Sequence, residues 1–294
     1  MPHGLPYIFV LDWDGTIAGK VDFQSHQYSI HNTLKKHGFK PLKQHPIPPA
    51  FYPNAKLIRP GFASFIKAMK KVYPDAHFFI YTASEKQWAN QEIMWVEKTH
   101  DIRFNRPLFT REDCSVDAVG NNRKSVARVF PRIMKSLSKE YPLTAAQRQH
   151  VLEHQLILID NNAVYTDRMD KLLLCPDYNY CVFENLLHGI PPDARKHPVI
   201  QQHLLTLINN GYLCSMPNDA DDGMRALAKQ YQWLAAKCKT LSDINVTYEN
   251  DDFWKFLKQA IIQNQIKVFS PSIIRQLQDA AWKNAKAKKS QLNH

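Results

Sequence analysis

Glycine is scarce in this chain, 9 of 294 residues. Few loops can therefore be glycine-rich phosphate cradles, and no Walker-type loop is found. The five cysteines (114, 175, 181, 214 and 238) form no CxxC pair and are odd in number. That argues against a disulfide scaffold and a zinc cluster, and it favours a reducing compartment, cytoplasm or nucleus. No apolar run approaches the roughly 18 residues a membrane helix needs. The first residues, Met1 to Pro6, lack the basic start and long apolar core of a signal peptide. Acidic residues are missing altogether between Asp22 and Asp75, where nine lysines and arginines lie. No Ser-His-Asp arrangement is recognisable.

What is present is an ordinary globular composition, 44% hydrophobic and 22% charged, with a net charge of +11. Disorder over most of the chain is excluded. The positive field attracts phosphate-bearing or otherwise acidic partners, nucleic acid among them; the plainer reading is a basic solvated surface. His26, His31, His37 and His45 show no metal-ligand spacing and read as exposed. Lys283, Lys286, Lys288 and Lys289 read as a helix end rather than a binding arm.

Tyr7 to Leu11 is a continuous apolar run that meets an aspartate, the pattern of a buried parallel strand. His77–Tyr81 and Leu156–Ile159 repeat it, and Tyr180–Phe183 is a candidate fourth strand. Phe62, Phe65, Ile66 and Met69 recur at helical spacing. Ser84–Thr99 reads as a helix with Ser84 as N-cap, and Val126–Leu137 as another. Six prolines between residues 41 and 60 predict an irregular excursion. Strands alternating with helices give an α/β, doubly wound parallel sheet with helices on both faces. We place this domain at residues 1–216. From Pro217 onward, after Asp219–Asp222, which reads as a linker or a helix N-terminus, helices are expected over Ala226–Lys239, Asp252–Gln263 and Pro271–Lys286, with Pro271 at N1 after Ser270. Residues 217–294 form a helical extension, either a separate domain or a flank packed on the first.

In such sheets the working groups sit at the carboxyl ends of the strands. Three of these ends carry Asp12, Thr82 and Asp160. Asp12-Trp13-Asp14-Gly15-Thr16 puts two carboxylates on the turn after a strand, with Gly15 allowing the sharp turn. Phosphoryl transfer needs two carboxylates with different tasks, one to attack phosphorus and one to give and take a proton. Thr82 is placed to hold a phosphoryl oxygen, although a threonine capping a helix is commoner. Lys124, opening a helix near Arg123, can offset the charge of nucleophile and phosphate, with Arg123 and Arg128 as competitors. Asp12, the Asp14 carbonyl, and Asp160 or Asn161 are hard oxygen donors of the kind Mg²⁺ prefers; a plain turn also favours Asp-Asn. Trp88, Trp95 and Tyr81 either wall this pocket or belong to the helix core.

In this order the segments resemble the haloacid dehalogenase superfamily of phosphatases. Phe79-Ile80-Tyr81-Thr82-Ala83-Ser84, Phe104 to Arg111, and Ile157 to Asn161 look like the branch that dephosphorylates the C-terminal domain (CTD) of RNA polymerase II, the NLI-interacting-factor-like type. Asp12 to Gly19, Arg59-Pro60 and Tyr81 to Glu85 are also similar to members in large DNA viruses, which would add virion or host cell as a location. The resemblance spans about residues 5–185. It implies Asp12 as nucleophile and Asp14 as general acid and base. It implies Thr82 and Lys124 as phosphate ligands, and Asp12, Asp14, Asp160 and Asn161 as Mg²⁺ ligands. The implied substrate is a phosphorylated protein. That branch usually reads Asp-Leu-Asp-Glu-Thr-Leu in its first motif, where this chain has Trp13 and Gly15. Two rival readings are a phosphatase fold kept as an interaction or structural component, and a nucleotide or polynucleotide end phosphatase.

Overall fold

The computed structural model describes residues 4–19, 23–40, 47–178, 190–209 and 251–292. Strands β1 (Tyr7–Leu11), β2 (Ala76–Ile80), β5 (Leu156–Asp160) and β6 (Leu172–Leu174) form one parallel sheet in the order β2-β1-β5-β6. A short hairpin, β3 (Ser115–Val116) and β4 (Asn122–Arg123), stands apart from it. The helices are α1 (Phe23–Lys36), α2 (Phe62–Val72), α3 (Lys86–His100), α4 (Val126–Leu137) and α5 (Ala145–His154). After these come α6 (Pro192–Arg195), α7 (Pro198–Asn209), α8 (Phe253–Gln263) and α9 (Pro271–Leu292). No helix among the described residues is long and apolar enough to cross a membrane.

Continuous apolar runs are what a sheet covered on both faces requires, because successive side chains point to opposite sides. Phe9, Leu11, Phe78, Ile80, Ile157 and Ile159 face one core, built with α1, α2, α3, α8 and α9. Ile8, Val10, Phe79, Leu156 and Leu158 face the other, closed by α4 and α5. Burying each such side chain stabilises the fold by about 1.5–3 kcal/mol. The chain leaves β1 toward β2 on one side and returns to β5 on the other. The crevice beyond the carboxyl ends therefore opens at β1.

Residues 251–292 pack into the first core. Trp254 is fully buried beside Phe62 and Phe65, at ring-centroid distances of 5.2 and 4.8 Å. Phe269 meets Phe9 at 5.6 Å. Helix α9 begins at Pro271, and the Ser270 hydroxyl accepts from the Ile273 N–H. The expected boundary at 217, the linker or helix start at 219–222 and the helix over 226–239 lie outside the described residues, as does the expected strand at 180–183. The fourth strand of the sheet is Leu172–Leu174, whose three residues are too few to show a period. Residues 47–60 hold a 3-10 turn at Pro49–Phe51 and an isolated bridge from Ile58 to Ala18, with no longer helix or strand, in keeping with their prolines.

Two local expectations are corrected. Helix α3 starts at Lys86 with Glu85 as its N-cap residue, because the Ser84 hydroxyl is engaged elsewhere. Lys124 does not open a helix. It pairs as an isolated bridge with Tyr165, and α4 begins at Val126 behind the N-cap Ser125. Asp167 accepts from the Val126 and Ala127 N–H groups at 2.7 and 2.8 Å and completes that cap.

Candidate active site

The functional side chains stand at or just past strand ends. Asp12 follows β1, and its N–H donates to the Ile159 carbonyl, which ties the first loop to β5. Asp160 is the last residue of β5 and is 1% exposed. Lys124, 2% exposed, donates from Nζ to Asp12 Oδ1 at 2.6 Å and to Asp160 Oδ2 at 2.7 Å. The side chains of β1 and β5 thus meet on one nitrogen. Burial alone would lower the lysine, but Asp12 and Asp160 hold it well above its ordinary value. Burial and the neighbouring Asp12 push Asp160 up to about 7. The rings of Tyr81 and Tyr165 flank the ammonium at 5.6 and 5.8 Å.

Asp14 stands on the other side of the loop. Its Oδ2 accepts from Thr82 Oγ1 at 3.0 Å and from Ser84 Oγ at 2.5 Å. Thr82 Oγ1 in turn accepts the Ser84 N–H at 3.0 Å. Burial and then the Asp12 charge raise Asp14 to about 7, against the pull of these hydroxyls and Lys124. A carboxyl held near neutrality suits proton exchange at pH 7.

Thr16 links the two loops. Its hydroxyl lies 3.1 Å from Asp12 Oδ2 and 3.1 Å from Asn161 Oδ1, and it accepts the Asn161 N–H at 3.0 Å. One hydroxyl has one hydrogen, so one of those two oxygens is left without its donor. Asn161 Nδ2 donates to Asp177 Oδ1 at 2.8 Å, which turns the amide oxygen toward Thr16.

Among the described residues, no group of three or more His, Cys, Asp and Glu side chains is spaced to hold a metal ion. Mg²⁺ needs no such group, since it binds through one or two carboxylates with waters and phosphate oxygens. The donors here are all hard oxygens. The oxygen pair at Thr16 is one proton short. The residues present fit Mg²⁺.

All six residues expected at the site converge on it. The competitors of Lys124 do not: Arg123 pairs with Asp117 at 2.8 Å and Arg128 donates to the Cys114 carbonyl. Tyr81 lies in the core beneath Lys124, whereas Trp95 packs on Phe51 in the opposite core. Trp13 is fully buried and donates to Glu92 of α3 at 2.9 Å. His37 lies against His197 at 5.2 Å; His45 and the side chain of His26 lie outside what is described. Ser84, Asp167 and Asp177 carry roles no sequence pattern signalled.

A parallel sheet whose strand ends bring Asp12 and Asp160 onto Lys124, with Asp14 beside them, defines the haloacid dehalogenase class of phosphatase. The description "NLI interacting factor-like phosphatase" matches residues 7–188, more than half of the chain. The chain belongs to that family. No curated protein matches it. Among solved structures it is similar to the fission yeast RNA polymerase II CTD phosphatase Fcp1 bound to beryllium fluoride. There the identity is 16% and the TM-score 0.40, over 88% of this chain and 62% of that one. A second structure, of Fcp1 described as an essential RNA polymerase II CTD phosphatase, gives 15% and 0.37, over 92% of this chain and 70% of that one. The chain thus spans less than two thirds of the first of these.

Proposed function

We propose that this protein is a magnesium-dependent phosphatase that hydrolyses phosphomonoesters on protein through an aspartyl phosphate at Asp12. The observation that carries the reading is the single Lys124 ammonium bonded to both Asp12 and Asp160. A buried charge cluster of this kind is costly, and a purely structural strand end has no need of it.

The Asp12 carboxylate attacks phosphorus, and the bond from phosphorus to the ester oxygen breaks. Asp14 gives its proton to that departing oxygen. Water then attacks the aspartyl phosphate, Asp14 takes the water's proton, and the Asp12 carboxylate and inorganic phosphate are released. Lys124 has three N–H groups, two of them on Asp12 and Asp160, which leaves one for a phosphoryl oxygen. Thr82 and Ser84 hold Asp14 in place between its two proton transfers. Asp12, the Asp14 carbonyl, Asp160 and Asn161 would hold Mg²⁺, which when bound supplies positive charge to offset that on the transferring group.

The protein substrate rests on the resemblance of residues 79–84, 104–111 and 157–161 to the CTD-directed branch. The test is turnover of an aryl phosphate with and without Mg²⁺, followed by a panel of phosphoserine, phosphothreonine and phosphotyrosine peptides beside 3′- and 5′-phosphorylated oligonucleotides. Metal-dependent turnover with peptide preference is expected. Wild-type rates in Asp12→Asn, or no metal-dependent turnover, would defeat the reading. Preference for oligonucleotides would move the substrate to nucleic acid ends.

A further inference from the structure

The two loops of the site are joined from below by Cys175–Tyr178, the segment that leaves β6. The Cys175 N–H donates to the Asp160 carbonyl at 2.9 Å, and the Tyr178 N–H donates to the Gly15 carbonyl at 2.8 Å. Between them Asp177 accepts the amide N–H of Asn161. A carboxylate only accepts, so it can face only the nitrogen end of that amide. The orientation of Asn161, and with it the oxygen that faces the Thr16 hydroxyl, is set by Asp177.

The segment has a third anchor. Arg59 Nη1 donates to the Pro176 carbonyl at 2.8 Å, one residue before Asp177. Arg59 also forms a two-point pair with Asp251, from Nε at 3.0 Å and Nη2 at 2.8 Å. Both side chains are 1% exposed. The guanidinium lies against the rings of Phe253, at 4.6 Å, and Tyr178, at 5.5 Å. An arginine buried this deeply needs its counter-charge, and Asp251 brings it from beyond residue 188, where the family match ends.

We propose that Asp177 is the positioning residue of Asn161, and that Asp251, through Arg59, holds the segment that carries it. The C-terminal part of the chain thereby reaches the metal loop without touching substrate. This inference rests on the reading of Asn161 as a metal ligand, and its test reads metal binding directly. Outer contacts of this kind change metal affinity by roughly 10–100-fold when removed.

The experiment uses the full chain with Asp177→Ala, Asp177→Asn, Asp251→Asn and the double variant Asp177→Ala/Asp251→Asn. Mn²⁺ affinity is measured by calorimetry, KM for an aryl phosphate at saturating metal, and folding by circular dichroism. Asp177→Ala should weaken Mn²⁺ binding about 10-fold or more. Asp177→Asn keeps an accepting oxygen and should recover most of that loss. Asp251→Asn should weaken Mn²⁺ binding with little change in KM. The double variant should bind no more weakly than Asp177→Ala alone, since the two act through one contact. Wild-type Mn²⁺ affinity in a folded Asp177→Ala overturns the proposal, and fully additive losses overturn the part played by Asp251. An Asp251→Asn chain that does not fold assigns Asp251 to the core alone and overturns that part too, while the Asp177 pair decides the rest. A wild-type chain that binds neither Mn²⁺ nor Mg²⁺ defeats the metal site itself.

Discussion

Gly15 approaches Asn161 so closely that a β-carbon on it would stand 2.4 Å from the amide nitrogen, and 2.5 Å from Asp177 Oδ1. Its φ is +75°, in the left-handed region. Gly15→Ala therefore meets both obstacles at once. The backbone strain alone costs about 1–2 kcal/mol. Displacing Asn161 costs more in activity, since a shift near 1 Å in a catalytic group lowers rate on the order of 10²-fold. Urea unfolding should show the lower stability and aryl phosphate turnover the larger loss. A variant with wild-type kcat would show that Asn161 can move freely.

Lys124→Met removes the ammonium that two buried carboxylates share. Stripping one partner from such a group destabilises by about 3–5 kcal/mol. The loss should be largest without metal and shrink when Mg²⁺ is added, because the ion replaces part of the missing charge. Turnover should fall on the order of 10²-fold or more in either case. Lys124→Arg should not restore it, because a planar guanidinium cannot take the place of a compact ammonium 2.6 and 2.7 Å from two oxygens. Thermal denaturation with and without Mg²⁺, beside kcat, separates the two effects.

Much of this arrangement was legible in the residues. Asp12 and Asp160 end apolar runs long enough to be read as buried strands, and Thr82 stands one residue past the end of such a run. A parallel sheet must gather these positions at one edge. Lys124 was readable as a charge the chemistry needs, but not its setting, because the bridge to Tyr165 depends on a partner 41 positions further along the chain. Asp177 follows a strand of three residues, too short for periodicity. Arg59 and Asp251 lie 192 positions apart, and no local pattern marks either as half of a buried pair. Ser84 has the composition of an N-cap, yet its hydroxyl serves Asp14. Tertiary competition for one side chain is invisible to propensity.

Trp254 shows how far the C-terminal helices belong to the sheet. It is fully buried against α2, and 66 positions separate it from the end of the family match at residue 188. Trp254→Ala should cost about 3–5 kcal/mol, the range for emptying a large aromatic site. Urea unfolding followed by circular dichroism should shift as a single transition. A change under about 1 kcal/mol would mean that α8 rests on the domain without sharing its core.

Ser84 and Thr82 make a further testable pair, since both hydroxyls end on Asp14 Oδ2. A hydrogen bond to a charged group is worth about 1.5–3 kcal/mol. Ser84→Ala should lower kcat roughly 10-fold or more. Thr82→Val should lower it further, because the Thr82 oxygen also accepts the Ser84 N–H and anchors that residue. The double variant should lose less than the product of the two single losses, since they share a network. Multiplying losses would place the two hydroxyls in separate tasks.

Asp160→Asn sets stability against function. Asp160 and Asp12 lie buried on one ammonium, and burial and repulsion push Asp160 up to about 7. A neutral amide relieves that repulsion and leaves Lys124 paired with Asp12, which outweighs the one acceptor withdrawn from the Asn162 N–H. The metal-free variant should therefore melt at or above the wild-type temperature at neutral pH. Mg²⁺ at about 100 times its dissociation constant stabilises a site that binds it by about 2.7 kcal/mol. Wild type should gain that increment and Asp160→Asn should lose most of it, together with turnover. A destabilised metal-free variant would show that the Asp160–Lys124 pair stabilises the fold, and that the strand end is built for structure before chemistry.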